Sequence, residues 1–182
     1  MAKLNPERLV FGLYLLVLVI AGEVVLSHLD LPSWPAFLVM ILFFVEHMEL
    51  KKAPEILVGG CAGLACLILA QIMVGALAPM LGVEIATLVF VAVVVYAIVA
   101  CGEIAPVVCN NYAFIYLTVS AAIAKLSPES NVYAWMGIEF LGGGIFIAGV
   151  IGIAKTMAAI SMRNAADVQA KADPSAGIGV GG

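Results

Sequence analysis

Long apolar runs are the feature that most limits how this chain can fold. One run covers residues 9–26, and comparable runs recur along the chain to residue 154. Of the 182 residues, 64% are apolar and 11% are charged, whereas soluble domains are nearer half apolar and a quarter charged. A helix of roughly 20 apolar residues spans the hydrocarbon core of a bilayer. The sequence therefore predicts an all-α integral membrane protein whose main partner is the lipid bilayer.

Six apolar segments predict a single six-helix transmembrane domain over residues 1–163. The predicted helices cover residues 9–26, 34–50, 56–77, 85–101, 107–124 and 132–154. The second is short in apolar residues, so we expect its polar end, Glu46 to Leu50, to continue the helix into the interface. A tight turn is expected at residues 78–82. From residue 164 onward the chain is polar and then glycine-rich, which predicts a disordered tail over residues 164–182.

The basic residues predict the orientation. With six spans and a cytoplasmic N-terminus, one basic residue, Lys125, falls outside, and the others fall on the cytoplasmic side: Lys3, Arg8, Lys51, Lys52, Lys155, Arg163 and Lys171. Lysine and arginine concentrate in the cytoplasmic loops of membrane proteins. Both termini, including the tail, are therefore predicted to be cytoplasmic.

The chain shows no pattern typical of catalysis, of a cofactor site or of a metal site. It has no nucleotide-binding glycine loop, no serine-hydrolase elbow and no clustered cysteine–histidine pattern. The formal charge of −4 comes without a basic stripe, which argues against a nucleic-acid partner. The four cysteines lie in apolar runs and are interpreted as packing residues: Cys61, Cys66, Cys101 and Cys109. We therefore expect no enzyme, no cofactor and no metal.

Short motifs repeat between the two halves of the chain. Gly22-Glu23 and Gly102-Glu103 each stand at the end of a predicted helix, and Pro54-Glu55 has a counterpart in Pro128-Glu129, 74 residues later. Three helices per copy would place the second copy upside down, as in transporters built from inverted repeats. Proline and glutamate also mark helix starts in general, so duplication and independent helix starts both stay open.

Polar residues inside the predicted spans are the candidates for function. Asn110 and Asn111 lie near the start of helix five, and Glu139 lies two turns into helix six. Ionisable groups at that depth are functional candidates by default, so these residues and the shallower Glu23 and Glu103 are predicted to hold a solute or a proton. Interhelical hydrogen bonding that only stabilises the bundle is the alternative for the two amides.

Two further groups have weaker functional signals. Glu46 and His47 are candidates for a pH gate because histidine titrates near neutral pH, and their spacing matches no zinc pattern. Gly59 and Gly63 in helix three, and Gly144 and Gly152 in helix six, form small-residue strips that let helices pack closely. We expect helices three and six, or two copies of the chain in a homo-oligomer, to cross at these strips.

A resemblance adds a cellular setting. The stretch Leu31-Pro32-Ser33-Trp34-Pro35-Ala36-Phe37-Leu38, then Leu50-Lys51, then Ala76-Leu77-Ala78-Pro79-Met80-Leu81, resembles small bacterial inner-membrane proteins of the YcdZ type. The resemblance implies six helices and the bacterial cytoplasmic membrane. It supplies no activity and no functional residues.

Two functions from different classes stay open. The polar residues and the repeat favour a channel or secondary transporter for a small polar solute or ion. The glycine strips favour a non-catalytic membrane subunit or scaffold that packs against partner helices.

Overall fold

The computed structural model describes residues 6–127 and 131–172, and every regular element in these ranges is helical. The all-α fold class is confirmed. In chain order the α-helices are α1 (Pro6–His28), α2 (Trp34–Val45), α3 (Ala53–Leu81), α4 (Val83–Cys101), α5 (Asn111–Leu126), α6 (Val132–Gly137) and α7 (Gly143–Ala172). A 3₁₀ turn at Leu50–Lys52 leads into α3, and a π-helical turn at Ile138–Gly142 joins α6 to α7.

Four helical segments of the described chain are long and apolar enough to cross a membrane. They are Glu7–His28, Leu50–Leu81, Val83–Cys101 and Val132–Ala166. The helices α2 and α5 are also apolar but have only 12 and 16 residues. At a rise of about 1.5 Å per residue they measure about 18 and 24 Å, less than the roughly 30 Å of a hydrocarbon core. The prediction of a membrane protein thus holds for four candidate spans.

The chain divides into two compact units. Among the described residues, one unit lies within residues 22–147, and the other comprises residues 6–21 and 148–172. In the described part of the terminal unit, the first half of α1 lies along α7. A Cβ placed on Gly149 would touch the Leu18 side chain at 2.9 Å, and Ser161 Oγ donates to Glu7 Oε1 at 3.3 Å.

The core of the 22–147 unit forms where α2 and α5 pack on the first half of α3. Asn110 Nδ2, just before α5, donates to the Glu55 carbonyl at 3.1 Å, and Gly63 lies against Ala113, three residues further along α5. The helices α3 and α5 therefore run parallel from a common end. In contrast, α2 begins beside Tyr116, and Glu46, directly after its end, lies beside Tyr112, so α2 runs antiparallel to α5.

The second predicted helix ends earlier than expected. It stops at Val45 rather than at residue 50, and the prediction that its polar end continues the helix is wrong. His47 and Met48 have φ of 54° and 61°, which is the left-handed region that a helix does not use. The polar stretch is a turn, closed by the bond from Met48 N to the Phe43 carbonyl at 2.9 Å.

Three other predicted boundaries also move. The helix predicted at residues 107–124 begins at Asn111, and the disorder predicted from residue 164 is wrong as far as Ala172, where α7 ends; residues 173–182 lie outside the described ranges. The expected tight turn at residues 78–82 is also wrong, because α3 continues through Pro79 to Leu81. Only Gly82 separates α3 from α4, with φ of 80° and ψ of 153°.

Gly82→Ala should destabilise the protein, because this backbone conformation is essentially restricted to glycine. We expect a loss of about 1–3 kcal/mol, the cost of holding an L-residue in such a region. The measurement is thermal unfolding of the detergent-solubilised protein. Gly75→Ala is the matched control, because a Cβ there meets nothing within 4 Å and alanine favours a helix interior. Equal melting temperatures for Gly82→Ala and the wild type would contradict the assigned turn.

Candidate functional site

The most unusual side chain of the 22–147 unit is Glu139. It is the only charged residue among the described residues that is fully buried, with 0% of its surface exposed. Its Oε2 accepts a hydrogen bond from Cys61 Sγ at 2.8 Å, and its Oε1 has no hydrogen-bond partner in the described chain. A buried carboxyl group normally has a full set of partners, because losing its water without replacement costs several kcal/mol. The free oxygen marks a site that the fold alone leaves incomplete.

The position of Glu139 depends on a local change of helix type. It is the second residue of the π-helical turn Ile138–Gly142, and such turns occur often at functional sites. Glycines on both sides make the close packing possible. A Cβ on Gly60 of α3 would overlap Glu139 Oε1, and a Cβ on Gly143 would lie 2.5 Å from Val39 Cγ2 of α2. The glycines thus leave room for the Glu139 carboxyl group against α3 and for the Val39 side chain of α2 against the end of the π turn.

Tyr116 lies beside the Glu139 carboxyl and links it to a set of aromatic rings. Its hydroxyl donates to the Pro35 carbonyl at 2.6 Å, which fixes the ring against the start of α2. The Trp34 ring is 6.2 Å from the Tyr116 ring and 5.1 Å from the Trp135 ring, with the two indoles nearly perpendicular at 81°. We call Trp34, Tyr116 and Trp135 the aromatic layer. Trp34 Nε1 is buried without an acceptor in the described chain, so packing alone holds that ring.

An open cleft lies on the other side of the aromatic layer. Its volume is about 750 Å³, and it forms where α1 and α5 end and α2 and α6 begin. Two acidic residues line it, Glu23 and Asp30, together with Trp34, Trp135 and the polar residues Ser27 and Asn131. Trp135 belongs to the cleft and Glu139 follows one helical turn later. A single aromatic layer therefore separates the cleft from the buried carboxyl group.

The two candidate amides of α5 have different environments. Asn110 is the N-cap of the helix: its Oδ1 accepts from Ala113 N at 3.1 Å, and its Nδ2 donates to the carbonyls of Glu55, Pro106 and Val107 at 3.1, 3.0 and 3.0 Å. Asn111 is exposed at the first helical position. These contacts favour the stabilising interpretation for Asn110, whose amide has a structural partner on every side.

The other predicted site residues lie apart from Glu139. Glu23 lines the cleft, as described above. Glu103 is exposed in the turn after α4, and His47 is exposed in the turn after α2. Glu46 is half-buried beside Tyr112, at the end of the unit that holds Asn110. The structure therefore brings Glu23 and Glu139 to the two sides of one aromatic layer and leaves the proposed pH gate at the opposite end of α2.

The glycine strips do not meet each other as expected. A Cβ on Gly59 would overlap the Asn110 amide, and one on Gly63 would overlap the Ala113 carbonyl, so this strip faces α5. A Cβ on Gly144 or on Gly152 meets nothing within 4 Å in the described chain. The expected crossing of helix three with helix six at these strips is therefore wrong for Gly59 and Gly63, and a crossing between two copies of the chain stays a prediction. Gly60 and Gly143, outside both predicted strips, make the close contacts instead.

Several residues of the site gave little signal in the sequence. Cys61 and Tyr116 look like ordinary packing residues in apolar segments, and only the fold places them beside Glu139. Trp135 is likewise buried, with only 3% of its surface exposed. The nearest available signal was the glycine pair Gly59-Gly60, because two adjacent glycines in a helix indicate close approach on more than one face.

Replacement of the two amides should separate their roles. Asn110→Ala removes a helix cap and three side-chain donations, so we expect a loss of roughly 0.5–2 kcal/mol in unfolding free energy. Asn111→Ala changes an exposed position and should stay within about 0.5 kcal/mol of the wild type. Thermal unfolding in one detergent compares the two variants directly. A larger loss for Asn111→Ala than for Asn110→Ala would show that the cap is misassigned.

Comparison with known proteins gives no relative for this chain. No family model matches it, and neither a curated protein nor a solved structure matches it significantly. The resemblance to proteins of the YcdZ type therefore stays a prediction from the residues quoted above.

Proposed function

We propose that this protein is a channel or secondary transporter for a small polar solute or ion. The observation that carries the proposal is Glu139, fully buried at a π-helical turn with one carboxyl oxygen unpartnered in the described chain. An ionisable group within a membrane segment is by default a candidate for a solute or proton path. The cleft supplies an entrance, the aromatic layer a barrier, and Glu139 a binding group beyond it.

We further propose that the chain crosses the membrane six times. The contacts of α2 and α5 support this, because each helix runs from one end of the 22–147 unit to the other. At one end lies the cleft; at the other lie Glu46, Glu55 and Asn110. Both helices are shorter than a hydrocarbon core, but much of their surface is covered by protein. Short or broken helices are tolerated at membrane depth where protein or a cavity surrounds them.

An inverted duplication is part of the same proposal. Each half has a long, a short and a long helical segment, with α2 and α5 as the short ones. The short helix of each half packs on glycines in the last helical segment of the other half. In one case α5 packs on Gly59 and Gly63 of α3, and in the other α2 packs on Gly142 and Gly143. An axis that exchanges the halves would relate these two contacts.

The cellular setting follows from the sequence. The basic residues favour cytoplasmic termini, and the YcdZ-type resemblance favours the bacterial inner membrane. With six spans, the cleft opens to the outside, since α1 starts in the cytoplasm and ends at the cleft. Solute entering from outside would then meet Glu23 first and Glu139 after the aromatic layer.

A membrane subunit or scaffold is the second candidate, and α4 favours it. Within this helix only Ala86, Phe90 and Val94 are buried, along one narrow stripe. Gly144 and Gly152 also favour a subunit, because a Cβ at either position meets nothing within 4 Å in the described chain. In that case partner helices cover these surfaces, and Glu139 serves only to hold the bundle together.

Glu139→Gln should separate the two functions, because it removes the ionisable group with almost no change of shape. If the protein transports, flux into proteoliposomes should fall by about tenfold or more, equivalent to a barrier about 1.4 kcal/mol higher. Glu103→Gln, at an exposed turn, is the matched control and should keep wild-type flux. The measurement is uptake of small acids, amides, polyols, amines and monovalent ions. Folded wild-type protein that moves none of them would contradict transport.

Labelling of single cysteines tests the six spans. In a variant lacking the four native cysteines, a cysteine at Ser127 should react with a membrane-impermeant reagent in intact cells. A cysteine at Glu49 should react only after the cells are opened. If α2 and α5 do not cross, Glu49 and Ser127 lie on the same side, so labelling of both in intact cells would refute six spans.

A further inference from the structure

The surroundings of Glu139 offer its carboxyl group no compensating positive charge. Cys61 Sγ, at 2.8 Å from Oε2, is the one hydrogen-bond partner of this carboxyl in the described chain. A thiol is a weak donor and carries no positive charge. An ionised carboxylate that is buried without a paired charge is so unfavourable that such a group takes up a proton instead. These contacts therefore favour the neutral carboxylic acid in this conformation.

The helices α2 and α5 bring no charge to the carboxyl group. None of the 12 residues of α2 is ionisable. On α5, Tyr116 lies beside the carboxyl group, but its hydroxyl already donates to the Pro35 carbonyl at 2.6 Å. The basic residue of α5 is Lys125, nine positions beyond Tyr116 and about 14 Å further along the helix axis. This lysine is too far away to pair with the carboxyl group.

The remaining elements supply only the thiol of Cys61. The nearest basic residue along α3 is Lys52, which stands before the helix and pairs with Glu55 at 2.8 Å. The π-helical turn contains no ionisable residue besides Glu139 itself. In α6 the ionisable residue is Tyr133, whose side chain is exposed. Burial therefore decides the protonation state of the carboxyl group.

The two oxygens of the carboxyl group have different surroundings, which assigns the proton to one of them. A protonated carboxyl has one oxygen that donates a hydrogen bond and one that only accepts. The Oε2 atom of Glu139 accepts from the Cys61 thiol, so the proton belongs on Oε1, the oxygen without a partner in the described chain.

The space next to Oε1 is narrow. A Cβ on Gly60 would overlap Oε1 and would lie 2.9 Å from Tyr116 Cε2, so α3 and α5 close on this oxygen. A metal ion needs several protein or water ligands, and no group of three or more His, Cys, Asp or Glu residues in the described chain could hold one. A proton is the ion that fits the closed pocket.

We propose that Glu139 is the proton-binding site that couples the proposed transporter to a proton gradient. This inference rests on the transport function and names its coupling ion. While the aromatic layer is closed, Oε1 holds the proton. When the layer opens, the O–H bond breaks and the proton passes to water in the cleft, which leaves a carboxylate that water or solute stabilises. Closure requires the carboxylate to take up a proton again, so protonation and conformation change together.

Infrared spectroscopy tests the proton without any need for transport. At neutral pH exposed carboxyl groups are ionised, so a neutral carboxyl gives an isolated carbonyl band. The full chain, solubilised in a detergent without ester or acid groups, should show this band, and Glu139→Gln should lose it. Glu103→Gln, at an exposed turn, is the matched control and should keep it. Folded wild-type protein without the band, or a band that survives Glu139→Gln, would overturn the inference.

Exchange of the proton for deuterium tests whether the pocket opens. After transfer into heavy water the band should shift as the O–H group becomes O–D. Trp34→Leu thins the aromatic layer and should speed this shift by about tenfold, equivalent to a barrier about 1.4 kcal/mol lower. Phe37→Leu is the matched control, because Phe37 pairs with Phe146 outside the aromatic layer, and it should exchange at the wild-type rate. Equal rates in the two variants would overturn the release of the proton through the layer.

Uptake into proteoliposomes then separates the two proposals. The same panel of solutes is offered with and without an imposed pH gradient. Uptake that responds to the gradient in the wild type but not in Glu139→Gln supports both proposals. Uptake that ignores the gradient overturns the proton coupling and leaves transport standing. An exchanging infrared band without uptake of any solute supports the proton site and contradicts transport.

Discussion

The approach of α3 and α5 to backbone contact is the constraint on which the rest of the 22–147 unit depends. Gly59 and Gly63 allow it, since a Cβ at either position would overlap α5. In a membrane, helices gain little from burying apolar surface and associate through close packing and hydrogen bonds. Once α5 is in place, Tyr116 fixes the start of α2 through its bond to the Pro35 carbonyl. The packing of α3, α5 and α2 then forms the pocket that holds the Glu139 side chain.

Much of the fold could be predicted because apolar length and helix-breaking residues act locally. The start of α2 at Trp34 and the end of α4 at Cys101 agree with the sequence, since a serine and a glycine flank them. The errors have two sources. The sequence predicts a turn at Pro79, but α3 continues through it to Leu81. Asn110 caps α5 from outside the helix because its amide also reaches α3, and that tertiary contact leaves no periodic signal in the sequence.

The residues of the candidate site could also be predicted only in part. Glu139 was identified because a carboxyl group in an apolar run is conspicuous by itself. Its neighbours were not, because Cys61 and Tyr116 become unusual only through what they touch. The cleft was missed for a related reason: Glu23 lies near the end of α1 and Asp30 in the turn after it, whereas Asn131 and Trp135 stand at the start of α6. More than 100 positions of sequence separate the two pairs, and no local pattern joins them.

The single-residue link at Gly82 also bears on the order in which the protein assembles. Because α3 and α4 are joined directly, they can pair as a helical hairpin as soon as both have been made, with almost no loop entropy to overcome. The contact between Cys61 and Glu139 joins residues 78 positions apart and has to wait for the π-helical turn after α6. Contacts between distant residues form more slowly than local ones. The α3–α4 hairpin can therefore form early, whereas the carboxyl group can enter its pocket only when the later helices have packed.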